Sequence, residues 1–281
     1  MPPALTLPDG RRLALDDLPL LMGIVNITPD SFSDGGMLQN AGQAIAHGER
    51  LAEEGADIVD VGGESTRPGH APLDAATELG RVLPVIAGLR ERVGTPLSID
   101  TWKAEVADAA LKAGASIVND VWGAQRDPAI AGVAARHGAP IILMHNRETT
   151  DPALDILSDV LRFLERSIGI ALEAGVPRGQ IVVDPGIGLF GKTPEQSLRL
   201  IRELAKLESL GCPILLGASR KSVIGVVTGQ SVPAERVAGS VAAHLFGATQ
   251  GAAILRVHDV AAHAQAFKVW RALSLPSEPS A

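Results

Sequence analysis

One cysteine, Cys212, is present in 281 residues. A lone thiol excludes an internal disulfide and any zinc site built from cysteines. It stands just before the apolar run Pro213-Ile214-Leu215-Leu216 and reads as a thiol at a strand edge. Positive charge is also in short supply: 25 Lys and Arg face 32 Asp and Glu, for a net charge of −7. No basic stripe marks a nucleic-acid surface, so nucleic acid is excluded as an expected partner. No uncharged apolar run approaches the ~18 residues of a membrane span, so no membrane partner is expected. The chain opens Met1-Pro2-Pro3-Ala4 with no charged segment leading into an apolar one. We therefore expect no secretion signal and place the chain in the cytoplasm.

Hydrophobic residues, by contrast, make up 46% of the chain, enough for a large core. They are organised. Residues Leu5 to Leu15 alternate apolar and polar around Asp9-Gly10, the signature of a short N-terminal hairpin (residues 1–17). From residue 18 to 275, short apolar runs alternate with helical patterns, and residues 276–281 read as a disordered tail. The runs are Leu20 to Val25, Ile58 to Val61, Pro96 to Ile99, Ser116 to Val118, Pro140 to Met144, Ile181 to Val183, Pro213 to Leu216 and Ala252 to Leu255. Most are too apolar to have a solvated face, as parallel strands covered on both sides are. Between them, Ala41, Ala44, Ile45, Gly48, Leu51 and Ala52 share a helix face. Thr193-Pro194-Glu195-Gln196 spells a helix start, with Leu198, Ile201, Leu204 and Leu207 on one stripe behind it. Eight such units predict a (β/α)8 barrel of the TIM type preceded by the hairpin, with an open doubly wound sheet as the alternative.

The chemistry collects where the runs end. In order they lead to Asn26, to Asp60 and Gly62-Gly63-Glu64, to Asp100, Asn119, His145 and Asp184, to Ser219-Arg220-Lys221-Ser222, and to Arg256 and His258. A single polar residue at a strand end is ordinarily a helix cap or a turn former. Polar groups at all eight ends exceed what capping needs, and Asp100, Asp184, Lys221 and Arg256 are not what a helix start alone selects. In a barrel these ends ring one mouth, the usual place for an active site.

Residues 26 to 36, Asn26-Ile27-Thr28-Pro29-Asp30-Ser31-Phe32-Ser33-Asp34-Gly35-Gly36, resemble the first loop of the dihydropteroate synthase family. Residues 60 to 69, Asp60-Val61-Gly62-Gly63-Glu64-Ser65-Thr66-Arg67-Pro68-Gly69, are similar to its second signature. Ser98 to Thr101, Asn119-Asp120, Leu143 to His145, Asp184 to Gly186, Ser219 to Ser222 and Arg256 to Asp259 continue the match in order, over roughly residues 20 to 260. The resemblance implies condensation of a pterin diphosphate with p-aminobenzoate, in folate biosynthesis, by a homodimer using Mg²⁺. It implies that Asp100, Asn119, Met144, Asp184, Lys221 and Arg256 read the pterin, with Asp100, Lys221 and Arg256 catalytic. It also implies that Asn26, Arg256 and His258 hold the diphosphate, Asn26 touching the metal, and that Phe32, Thr66, Arg67, Pro68, Phe190 and Ser222 line the p-aminobenzoate pocket. The donor pattern agrees: Asp100 and Asp184 accept, Lys221 donates, Asn119 does both, and a guanidinium can stack on a flat ring.

Two departures stand out. Where the family runs Asp-Pro-Gly-x-Gly-Phe-Gly-Lys, this chain holds one more residue, Leu189 or a neighbour. Trp102 replaces smaller residues or Tyr and reads as a packing or rim residue. The extra residue also makes 186–193, Gly-Ile-Gly-Leu-Phe-Gly-Lys-Thr, match a P-loop, and Gly186, Gly188 and Gly191 match a dinucleotide loop. Pro194 argues against the P-loop because it starts a fresh helix after Lys192-Thr193. The competing readings are a non-catalytic pterin-binding paralogue, a folate-dependent methyltransferase domain on the same barrel, and a P-loop NTPase.

Overall fold

A computed structural model gives the fold, and it describes residues 4–15, 18–27, 37–64, 73–188 and 191–274. Strands β1 (Ala4–Thr6) and β2 (Arg12–Ala14) form the expected hairpin, pairing Leu5 with Leu13. Gly10 takes φ 85° in its turn, a conformation that glycine adopts at little cost.

Eight parallel strands follow and close on themselves: β3 (Leu20–Asn26), β4 (Ile58–Gly62), β5 (Leu97–Asp100), β6 (Ile117–Asp120), β7 (Ile141–Met144), β8 (Ile181–Asp184), β9 (Ile214–Leu216) and β10 (Ala252–Val257). β10 pairs with β3, so the sheet is a barrel and not the open alternative. The outer ring is α1 (Met37–Glu53), α2 (Ala75–Arg92), α3 (Ala104–Ala113), α4 (Ala129–His137), α5 (Ile156–Glu173), α6 (Pro194–Arg202), α7 (Ser222–Thr228), α8 (Val237–Thr249) and α9 (Val260–Ser274). The apolar runs match the strands to within a residue or two at each end. α6 starts as expected, with Thr193 and Gln196 in a reciprocal capping box. The stripe behind it does not stay α-helical: after Arg202 the chain tightens into a 3-10 helix, Leu204–Leu210, which still buries Leu204 and Leu207.

Strand side chains alternate sides with period two. The outward set, including Val59, Val61, Ile99, Val118, Ile141, Leu143, Val183, Leu216, Leu255 and Val257, packs against the helices. The inward set divides into two levels. Its lower level is Met22, Ile58, Ile117, Ile142, Val182, Leu215 and Ile254, and Leu5, Leu7 and Leu15 of the hairpin pack into the same cluster. The hairpin is thus an apolar plug on the N-terminal ends of the strands. Polar contacts tie it there, Arg11 donating to Gly94 O at 2.6 Å and Thr6 N to Gln180 at 3.0 Å. The upper inward level, two residues further on, is Asp60, Asn119, Met144, Asp184 and Arg256.

The plug should be a stability element. Leu5 is fully buried, so Leu5→Ala is expected to cost about 2–5 kcal/mol in urea unfolding. Leu13→Ala, at a half-buried position of the same hairpin, is expected to cost less than half of that.

Candidate active site

The strand ends converge as the runs implied. Arg256 is the hub: its Nε donates to Asp60 Oδ2 at 2.7 Å, and its Nη2 to Asp100 Oδ2 at 2.6 Å. Asn119 Nδ2 donates to the same Asp60 oxygen at 3.2 Å. Asp60 is fully buried, and its Oδ1 has no hydrogen-bond partner among the described residues. Next in the ring are Met144, paired in register with Asp184, and then Asp184, whose Oδ1 accepts from Gly186 N at 2.7 Å. Lys221 caps α7 and lies against Gly188, where a built Cβ would come within 3.0 Å of the Lys221 Cβ.

The electrostatics follow from burial. It pushes the Asp100 carboxyl up to about 7, with Arg256 pulling the other way and Asp60 adding to the rise. Asp184 is raised for the same reason, opposed by the Gly186 N–H, Lys221 and Arg256. Burial lowers Lys221 to about 8, Arg256 adding to the fall and Asp184 and Asp100 resisting it. Burial also works against the charge of Arg256, but its two carboxylate partners raise it above the usual value. A mouth with three close-set acids and several cations, all poorly hydrated, suits a ligand that has both a donor–acceptor edge and negative charge.

Two residues here escaped the sequence reading as site members. Asp60 was visible as a polar interruption of its run. Its function as the shared acceptor for Arg256 and Asn119 follows only from the inward level it shares with them. Lys192 sat in the P-loop-like stretch. Its Nζ donates to His145 O at 3.3 Å, and burial lowers it to about 7. Thr193 caps α6, so Lys192-Thr193 precedes the helix instead of lying within it, unlike a P-loop.

The other expected residues divide into two groups. Asn26 ends β3 and His258 follows the adjoining β10, both half-buried; the His258 N–H donates to Ser219 Oγ at 3.1 Å, and its Nδ1 lies 3.0 Å from the same oxygen. Ser222 is the first residue of α7 and is exposed. Phe32, Thr66, Arg67, Pro68 and Phe190 lie outside the described residues, as does Leu189. Trp102 is a half-buried rim residue as expected. Its Nε1 donates to Glu64 at 3.2 Å and its ring lies 4.6 Å from the Arg126 guanidinium. Lys103 joins Glu64 to the fully buried Glu78, the latter at 2.5 Å. His145 is fully buried, its Nε2 3.1 Å from Asp159 and its ring edge-on to Phe163, while its Nδ1 has no hydrogen-bond partner among the described residues.

Known proteins place this geometry. The family model described as "Pterin binding enzyme" matches residues 22–258. Dihydropteroate synthase of Bacillus subtilis (strain 168) is 46% identical over 261 residues, covering 93% of this chain and 90% of the relative. That of Synechocystis is 47% identical over 260 residues, covering 90% and 89%. Among solved structures, Xanthomonas albilineans dihydropteroate synthase with 4-aminobenzoic acid superposes with a TM-score of 0.93 at 48% identity, covering 98% of this chain and all of that one. The same enzyme with 7,8-dihydropteroate gives 0.88 at 47% identity, with the same coverage. With its closed barrel and its ring of acids, amides and cations at the strand ends, the chain belongs to the pterin-binding enzymes and, among them, to the dihydropteroate synthase family.

Proposed function

We propose that this chain condenses 6-hydroxymethyl-7,8-dihydropterin diphosphate with p-aminobenzoate, giving 7,8-dihydropteroate and diphosphate in folate biosynthesis. The observation that carries the reading is the Asp60–Arg256–Asp100 cluster, set between the amide of Asn119 and the carboxylate of Asp184. Asn119, Asp184 and Lys221 read the donor and acceptor edge of the pterin, and Met144 packs beside it. A ring with another donor pattern would leave these buried groups unpaired, which is a strong basis for rejection. Arg256 keeps its plane fixed by two carboxylates and so presents a flat cation to the ring and to the leaving group. Asn26 and His258 face the diphosphate with it.

The bond that breaks joins the pterin methylene to the diphosphate oxygen, and the electron pair leaves with the diphosphate. Charge left on the pterin is spread over its ring, and Asp100 stabilises it. The amine of p-aminobenzoate attacks the methylene and its surplus proton leaves to the departing diphosphate or to water, so no protein nucleophile is required. The p-aminobenzoate pocket is assigned to Phe32, Thr66, Arg67, Pro68, Phe190 and Ser222.

Mg²⁺ is assigned to the diphosphate. Among the described residues no group of three or more His, Cys, Asp or Glu side chains could hold an ion. A single amide oxygen, that of Asn26, fits an ion that keeps most of its water and takes the rest of its ligands from phosphate. When bound, it supplies neutralising charge to the departing diphosphate.

A homodimer is proposed as well. α8 is apolar nearly all round, which a solvated helix is not, and Phe246 on it and Val226 and Val227 on α7 stay exposed. We assign residues 18–275 to one pterin-binding unit behind the 1–17 hairpin, and the chain to the cytoplasm. Among the described residues no helix is long and apolar enough to cross a membrane.

The deciding assay follows diphosphate release from pterin diphosphate with Mg²⁺. Release that depends on p-aminobenzoate is expected. Pterin binding without release would support the paralogue, and ATP hydrolysis the P-loop reading. Asp100→Asn is expected to lower turnover about 10²–10³-fold while calorimetry still detects pterin binding; full turnover would remove Asp100 from the chemistry.

Lys221 makes a pH dependence measurable. Its ammonium donates only while protonated, so kcat/KM for the pterin diphosphate should fall as pH rises through about 8. Lys221→Arg should move that limb upward. A limb that stays in place would assign it to another group.

A further inference from the structure

Two histidines behind the mouth make no contact assigned to substrate. His244 on α8 and His263 on α9 are both fully buried, and their rings lie 4.9 Å apart between centroids. Their partners determine where the protons sit. Ala218 N–H can only donate, and it points at His244 Nε2 at 3.0 Å, so that nitrogen carries the lone pair. The proton of neutral His244 is therefore on Nδ1, 2.8 Å from His263 Nε2. His263 Nε2 must then accept, which places the His263 proton on Nδ1, 2.7 Å from Asp259 O, an obligate acceptor. Three hydrogen bonds thus run in one direction, from the end of β9 to the end of β10. Every ring nitrogen is used in this chain of bonds. Burial lowers both imidazoles below the usual histidine value, against the pull of the carbonyl oxygens beside them, that of Leu216 at His244 and those of Asp259 and Ser240 at His263. The titratable groups facing the pair are His258 and Asp259.

The two ends that the pair joins are the ones that carry site residues. Ala218 stands three residues before Lys221, and Asp259 three after Arg256. The same ends are joined again at their rim, where Arg220 grips Asp259 through Nε at 2.9 Å and Nη2 at 2.5 Å. Arg220 sits at φ 56°, a left-handed conformation uncommon outside glycine. It is held there by its N–H to Ser240 Oγ at 2.9 Å and by Arg236 donating to its carbonyl at 3.0 Å. The backbone bend that turns Lys221 into the mouth is therefore fastened below by His244 and above by Asp259.

We propose that His244 and His263 are positioning residues, a neutral one-way imidazole couple that sets the spacing between the strand ends delivering Lys221 and Arg256 to the pterin diphosphate. The functional half of this proposal rests on the reading of Lys221 given above; the tautomers do not. Long-range ¹⁵N-correlated NMR of the imidazoles in the wild-type chain tests them directly. Both rings are expected to carry the proton on Nδ1 and to stay neutral from about pH 8 down to about pH 5.5, through the range where a free histidine titrates. An Nε2–H ring, or titration of either ring near the ordinary value, would overturn the couple.

Kinetics test the positioning. His244→Leu leaves the Ala218 N–H without its acceptor and is expected to reduce kcat/KM for the pterin diphosphate about tenfold. His244→Gln, which can accept from Ala218 and donate to His263, should recover most of that loss. On a Lys221→Ala background, His244→Leu should add little, because its effect passes through Lys221. Full additivity, or equal losses for Gln and Leu in folded proteins, would reduce the pair to ordinary core residues. Should His244→Leu fail to fold, the Gln variant and the wild-type tautomers still decide. If the wild type releases no diphosphate, the functional reading fails, and the NMR result still stands for or against the couple.

Discussion

The ion cluster of Arg256 with Asp60 and Asp100 is the constraint around which the mouth is arranged. A guanidinium with side-chain exposure of only 18% is costly to desolvate, and it is tolerable only with charged partners in good geometry. Asp60 and Asp100 supply those partners from two neighbouring strands, and Asn119 from a third satisfies more of Asp60. The cluster therefore spans β10, β4, β5 and β6 and ties the barrel's last strand to its second, third and fourth. It leaves Asp60 Oδ1 without a described partner, so the neighbourhood keeps unspent capacity for a hydrogen bond. A site assembled this way is rigid before substrate arrives, and rigidity of donors and acceptors gives polar recognition its selectivity.

Such a polar mouth is possible because the other end is dry. The same period-two alternation produces both levels. Ile58 precedes Asp60 on one inward face, Ile117 precedes Asn119, Val182 precedes Asp184, and Ile254 precedes Arg256. The lower level, sealed by Leu5, Leu7 and Leu15, supplies packing where no function is required. The upper level is then free to carry groups that a stability-driven core would exclude.

This division also explains what could be read from the sequence. Strand positions were legible because buried parallel strands leave unbroken apolar runs, and Asp100, Asn119, Asp184 and Arg256 were legible because each interrupts or ends such a run. The capping box at Thr193 was legible because its signal is local. Asp60 was seen but not understood, since its value lies in Arg256, 196 residues away. Lys192 was hidden by a glycine pattern that imitates a P-loop. The 3-10 segment after Arg202 kept the apolar spacing of Leu204 and Leu207, and that spacing does not distinguish it from a further helical turn. Nothing in the local sequence marks His244 and His263 as partners. Only the approach of α8 and α9 to the ends of β9 and β10 turns them into a couple.

The shape of the mouth depends as much on missing side chains. Gly62 continues the inward face of Asp60 on β4, and a Cβ there would lie 3.3 Å from the Asp100 Cβ. Gly217 continues the inward face of Leu215, and its Cβ would stand 3.8 Å from both Arg256 Cβ and Asp184 Oδ2. Gly186 is constrained further: at φ 68°, with a built Cβ 2.1 Å from the His145 carbonyl oxygen, it admits no other residue without a backbone shift. Its N–H is the group that orients Asp184. A glycine in or beside a strand commonly marks close approach of a ligand or another backbone, and Gly186 is the second case, packed on the His145 carbonyl. Gly62 and Gly217 keep the space among Asp100, Asp184 and Arg256 free of side chains, while Gly186 lets the chain fold over closely enough for its N–H to orient the Asp184 carboxylate.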